Sequence, residues 1–127
     1  MNKKLRIAIT VNITDESRTY QLLQYNYYAF ISEIEVQGER HTFPITGQDP
    51  FTWQFDKPGK HTFYVTLRPG LPDNVGSPAF GISNIITSIS LPYGIETIPQ
   101  SLFATMNMPN VDVIVPSSVK RLNAGQC

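Results

Sequence analysis

The chain is poor in charge, in cysteine and in histidine, and it has no long apolar run. Ten Lys/Arg balance ten Asp/Glu, and charged residues are 16% of the 127 positions, against ~25% in an average domain. Its surface must therefore rely on Ser, Thr, Asn, Gln and Tyr. No clustered basic face is available to neutralise phosphates: Lys3, Lys4 and Arg6 form the single basic group, which suits a solvated N-terminal strand and argues against nucleic acid as a partner. The single cysteine, Cys127, cannot pair within the chain, so no disulfide framework is expected. Apolar runs fall far short of the ~18 residues of a membrane span, and no insertion is expected. MNKKLRIAITVNI has a basic start but no small-residue cleavage site, so the expectation is a strand rather than a secretory signal.

Scarcity also limits the chemistry. His41 and His61 are the two imidazoles. Both precede Thr-Phe at the ends of expected strands, where ordinary surface roles explain them. Two His plus a carboxylate fall short of the three or four ligands zinc takes, and no glycine-rich phosphate loop is present. Neither metal nor cofactor is expected. Glu33 and Glu35 share a strand face, yet nothing sets the separation of roughly 5 to 9.5 Å that glycoside hydrolysis needs, and Cys127 stands where rigid positioning is rare. The reading is therefore non-enzymatic, with a small carbohydrate-active domain as the enzyme alternative.

What is abundant is β patterning. Leu5, Ile7, Ile9, Val11 and Ile13 alternate with polar residues, as in a half-buried strand. Tyr20 to Tyr25 (YQLLQY) fits a short helix or a strand equally. In AFISEIEV, alternation puts Phe30, Ser32, Ile34 and Val36 on one face and Ile31, Glu33 and Glu35 on the other. His41 to Thr46 is a further expected strand, closed by Gly47-Gln48-Asp49-Pro50. FTWQF (51–55) and KHTFYVTL (60–67) flank Asp56-Lys57-Pro58-Gly59, so an antiparallel hairpin is predicted. The Tyr25, Tyr27 and Tyr28 group in YNYY offers flat amphipathic rings for a protein or glycan surface, with core packing as the ordinary alternative. Tyr93, after Pro92 at a turn, is expected to point outward as a contact residue.

The second half repeats. A shift of 24 superposes Val65, Leu67, Gly70 and Leu71 on Ile89, Leu91, Gly94 and Ile95, and these on Val113, Val115, Ser118 and Val119. Such a period predicts stacked coils, each a short strand and a turn, which only neighbours can stabilise. Unrelated sandwich strands with a coincident spacing are the alternative.

Residues 86–103, ITSISLPYGIETIPQSLF, resemble the repeat of BspA-like leucine-rich proteins, and NVDVIVPSSVKRL (110–122) looks like the start of the next unit. Residues 30–67 are similar to the small β module that often precedes such repeats in gut bacteria and their phages. Pro99 stands where the family usually has Gly, Gln37 replaces the module's usual Asp, and the last unit lacks its A-x-x-F ending. The resemblance implies a mainly β chain: a small antiparallel, β-sandwich-like module over 1–62, continuing over 63–127 into a short solenoid of two to three coils (near 63–84, 85–108 and 109–127). It further implies a structural or interaction protein, an accessory decoration or fibre-associated component of a gut phage virion. A bacterial surface adhesin fragment binding host protein or glycan is the alternative. A final coil without its Phe leaves an open end, so a protein partner or second copy is expected to cover residues 109–127, with glycan as a further possible contact.

Overall fold

The computed structural model describes residues 5–24, 28–68, 85–93, 97–98, 112–114, 117 and 121–122. The chain is mainly β, and no α-helix occurs among the described residues. Among the described residues ten strands follow one another: β1 (Leu5–Ile13), β2 (Thr19–Leu23), β3 (Ile31–Val36), β4 (Glu39–Thr42), β5 (Phe51–Gln54), β6 (Gly59–Leu67), β7 (Ile86–Ser90), β8 (Thr97–Ile98), β9 (Asp112–Ile114) and β10 (Arg121–Leu122).

Five strands, β4-β3-β6-β1-β7, form an antiparallel sheet, and β9 extends it by pairing parallel to β7. β2 and β5 make a second, two-stranded antiparallel sheet, and β8 pairs parallel with β10. The organising strand is β1, whose alternation matches expectation: Ile7, Ile9, Val11 and Ile13 are buried, while Asn12 is exposed. It pairs with β6 along its whole length, from Leu5 opposite Leu67 to Ile13 opposite Gly59. One row of apolar side chains, Phe63, Ile9 and Ile89, then crosses three strands in register, all fully buried. Burial of each such side chain contributes about 1.5–3 kcal/mol.

The second sheet joins the same core through Tyr20, Leu22 and Leu23 of β2 and through Phe55. YQLLQY therefore resolves as a strand over Thr19–Leu23. Its register shifts between Gln21 and Leu23, which lets two consecutive leucines both turn inward. A similar irregularity between Ile31 and Glu33 overturns the expected faces of β3: Ile31 is buried with Ile34 and Val36 instead of lying on the Glu33 side. One extra residue in the ladder moves a side chain to the other face.

Two pairing expectations are corrected. β5 and β6 do not form a hairpin, because β3 and β1 occupy both edges of β6 and β5 pairs with β2. The 55–59 turn instead carries the chain from one sheet to the other, with Phe55 buried at the crossing and Gly59 at φ +117. The fourth strand is Glu39–Thr42 rather than 41–46, because Gln37 and Gly38, at φ +48 and +79, make a two-residue turn that starts it early.

No solenoid of two to three coils is found among the described residues, although part of the 24-residue spacing recurs in the strand pairing. Ile89 does face Val113, and Ile98 faces Leu122, both in parallel ladders offset by the expected 24 residues. The first copy is not a coil beside them: Val65 and Leu67 belong to β6, and β1 stands between β6 and β7. A nine-residue antiparallel register outweighs a three-residue coil contact. β6 also runs across the 62/63 boundary, and Ile86, Ile89 and Leu91 share one core cluster with Ile7 and Phe63. Residues 69–84, 94–96, 99–111, 115–116 and 118–120, where the remaining repeat positions fall, lie outside the described residues.

Candidate functional site

The two ends of the large sheet differ in chemistry. At one end β4 shows Glu39, Arg40 and Thr42 to solvent, and charged residues on an edge discourage pairing with other chains. Arg40 reaches back to Glu33 (3.3 Å) and Glu35 (3.6 Å), and Arg6 crosses from β1, over the Tyr64 ring at 4.5 Å, to Glu35 at 3.0 Å. Both carboxylates are thus engaged by guanidinium groups. Glu33, expected on a solvated face, is only 7% exposed, because Arg40 provides the opposite charge that makes its burial tolerable.

At the other end lies β9, where no strand pairs with the outer edge among the described residues. Ile114 is 57% exposed there. The ladder continues one step past β7, where the Leu91 amide donates to the Ile114 carbonyl at 3.0 Å. Two residues on, Tyr93 is 70% exposed, the outward placement its turn predicts. An edge strand with free backbone groups and exposed apolar side chains is a template for a further strand.

The other sequence candidates separate. Tyr25, Tyr27 and Cys127 lie outside the described residues. Tyr28 is 4% exposed and packs rather than projects. Its ring stacks on Phe43 at 4.3 Å, and its hydroxyl donates to the Asp49 carbonyl. A Cβ on Gly47 would come within 2.6 Å of that ring, so glycine is required there for space. Burial, then the nearby Asp49 charge, pushes the Tyr28 phenol above its ordinary pKa, which keeps it a hydrogen-bond donor. Arg68 fixes the surrounding backbone, donating from Nε to the Tyr28 carbonyl (2.7 Å) and from a terminal nitrogen to the Phe43 carbonyl (2.6 Å).

The two histidines are not brought together, since β3 lies between β4 and β6. His61 places Nε2 2.8 Å from the Lys57 carbonyl, and its ring lies 4.8 Å from Phe55. His41 sits among aromatics, 5.0 Å from Phe51 and 5.7 Å from Trp53, with Glu39 at 3.6 Å. Among the described residues no three His, Cys, Asp or Glu side chains group as metal ligands do.

A second constellation escaped the sequence reading. Phe43, Phe51 and Trp53 form a half-buried aromatic row between β4 and β5. At its end the Trp53 indole Nε1 donates to Gln37 Oε1 (3.0 Å), and Gln37 Nε2 donates to Asp56 Oδ1 (2.7 Å). The hydrogen bond from Gln37, above all, holds the Asp56 carboxyl below the usual aspartate value. The only sequence signal was the F-T-W-Q-F alternation, which says that the rings share a face and nothing about their polar rim.

No family model, curated protein or solved structure matches the chain.

Proposed function

We propose that the chain is a non-enzymatic structural and interaction module whose β9 edge pairs with a strand supplied by another protein or a second copy. On this reading the second half is the start of a BspA-like solenoid, with β7 and β8 belonging to one coil and β9 and β10 to the next. The observation that supports it is the constant offset: Ile89–Val113 and Ile98–Leu122 pair in parallel ladders separated by the same 24 residues. Coils that repeat at one offset stack by adding strands to an edge, and each edge stabilises the next. Exposed Ile114 on that edge, with exposed Tyr93 two residues past Leu91, supplies apolar contact, and the charged β4 edge directs association away from the opposite end.

The setting that the family resemblance favours is an accessory decoration or fibre-associated component of a gut phage particle. Light scattering behind gel filtration tests the association, with a dimer or higher species expected. A clean monomer at high concentration that also retains no particle protein would sink it. Mass spectrometry of purified particles tests the setting, since a virion component must be present at stoichiometric copy number.

A further inference from the structure

We propose that the Trp53 indole, with Gln37 and Asp56 on its edge, is a binding site for a neutral pyranose sugar. The site stands apart from the strand-edge reading, since it is built from β5 and two turns and takes nothing from β7 or β9.

Trp53 and Phe51 are two positions apart on β5 and so share a face. Their rings lie within 14° of parallel with centroids 6.2 Å apart, and both are only half-buried. His41 packs against both, at 5.0 Å from Phe51 and 5.7 Å from Trp53, and the part of the indole left exposed offers an apolar surface to the C–H side of a sugar. The indole edge leads into a polar rim rather than ending in solvent. Gln37 spans from the indole N–H to Asp56, so its amide is held in one orientation by a partner at each end. Asp56 is exposed, and its carboxylate accepts from that amide and from its own backbone N–H, whereas an ionised carboxylate has about four acceptor positions. Those left over suit the neighbouring hydroxyls of one sugar ring, whereas a carboxylated sugar would meet a like charge.

The identity of residue 37 points the same way. It lies at φ +48 in a two-residue turn, a conformation that costs any residue with a side chain and that Asn or Asp accepts better. A glutamine is a poor choice for the turn and a good one for reaching Trp53 and Asp56 together. The local strain accompanies an oriented polar group beside a half-exposed aromatic ring.

Trp53 is the chain's single tryptophan, so its fluorescence reports occupancy without a label. The full chain is titrated with methyl glycosides of glucose, galactose, mannose and N-acetylglucosamine, with their short oligomers, and with glucuronic and sialic acids. A saturable emission change is expected with at least one neutral sugar, half-complete at or below about 1 mM. Asp56→Ala should weaken it at least about tenfold, a loss of some 1.4 kcal/mol, while unfolding as cooperatively as the parent. Asp56→Asn keeps the side chain's length and should weaken it less; if the alanine variant does not fold, the asparagine variant decides alone. No saturable change up to roughly 10 mM, equal affinity in the Asp56 variants, or equal response to the acidic sugars would each overturn the assignment.

Discussion

The described strands of residues 5–68 and those of residues 86–122 find their neighbours by different rules. In the first region β1 pairs with β6 across some fifty intervening positions, and β6 with β3 across roughly thirty, so each register is set by the core as a whole. In the second, β7 finds β9 and β8 finds β10 at one fixed spacing of 24. A repeat makes the partner of a residue a matter of counting, whereas a non-repeating sheet makes it a matter of packing. The regions meet at Ile9, which faces Phe63 on one side and Ile89 on the other.

That junction offers the strongest test. Ile9→Ala removes a fully buried side chain from the row that links the regions, and should cost about 2–5 kcal/mol. Because one core cluster spans both, urea unfolding followed by Trp53 fluorescence and by far-UV circular dichroism should shift together. Two separated transitions would show that the regions are energetically independent, and the comparison would become one between two domains.

The next effect belongs to the first region alone. Gly47→Ala forces a Cβ against the Tyr28 ring, and either the ring or the 43–49 loop must yield, at about 1–3 kcal/mol. A smaller loss, about 0.2–1 kcal/mol, is expected from Arg6→Ala. It breaks a partly exposed ion pair with Glu35 and a contact over Tyr64, and solvent screens such pairs. For the second region, Ile114→Lys puts charge on β9, whose outer edge no strand pairs with among the described residues. Thermal stability should move by no more than about 0.5 kcal/mol, while the associated species in light scattering should disappear. A variant that still associates would place the interface elsewhere.

How far the sequence anticipates the structure follows from the same contrast. The period of β1 was legible because alternation is local, and the Ile89–Val113 pairing because a repeat carries its own ruler. The inward turn of both Leu22 and Leu23, and of Ile31, was not legible: each depends on an irregularity that changes the period for one residue. Val65 was misassigned to a coil because V-x-L alternation is the same in any buried strand, and only the presence of β1 beside it tells the two apart. The β5–β6 hairpin failed likewise, since a good turn sequence also serves a crossing between sheets. Of the candidate side chains, the exposure of Tyr93 was readable from its turn. The Trp53–Gln37–Asp56 set was not, because its members come from β5 and two separate turns, sixteen and nineteen positions apart.

The smallest expected effect is one of pH, and it too falls on the first region. Asp56 is held below the ordinary aspartate value first by its hydrogen bond from Gln37, and Asp15 first by its side-chain hydrogen bond from Ser17. A carboxylate whose folded-state pKa is depressed contributes stability that is fully present above its unfolded value, about 3.9. That contribution is lost as pH falls through the folded value, because the unfolded chain takes up the proton first. Both groups are solvent-exposed, so the change is slight. Between about pH 5 and pH 3, the urea midpoint of Asp56→Asn should fall less than that of the parent, because an amide has no proton to gain. Equal falls would mean that the Gln37 bond survives protonation of Asp56, and that the link between the two turns does not depend on charge.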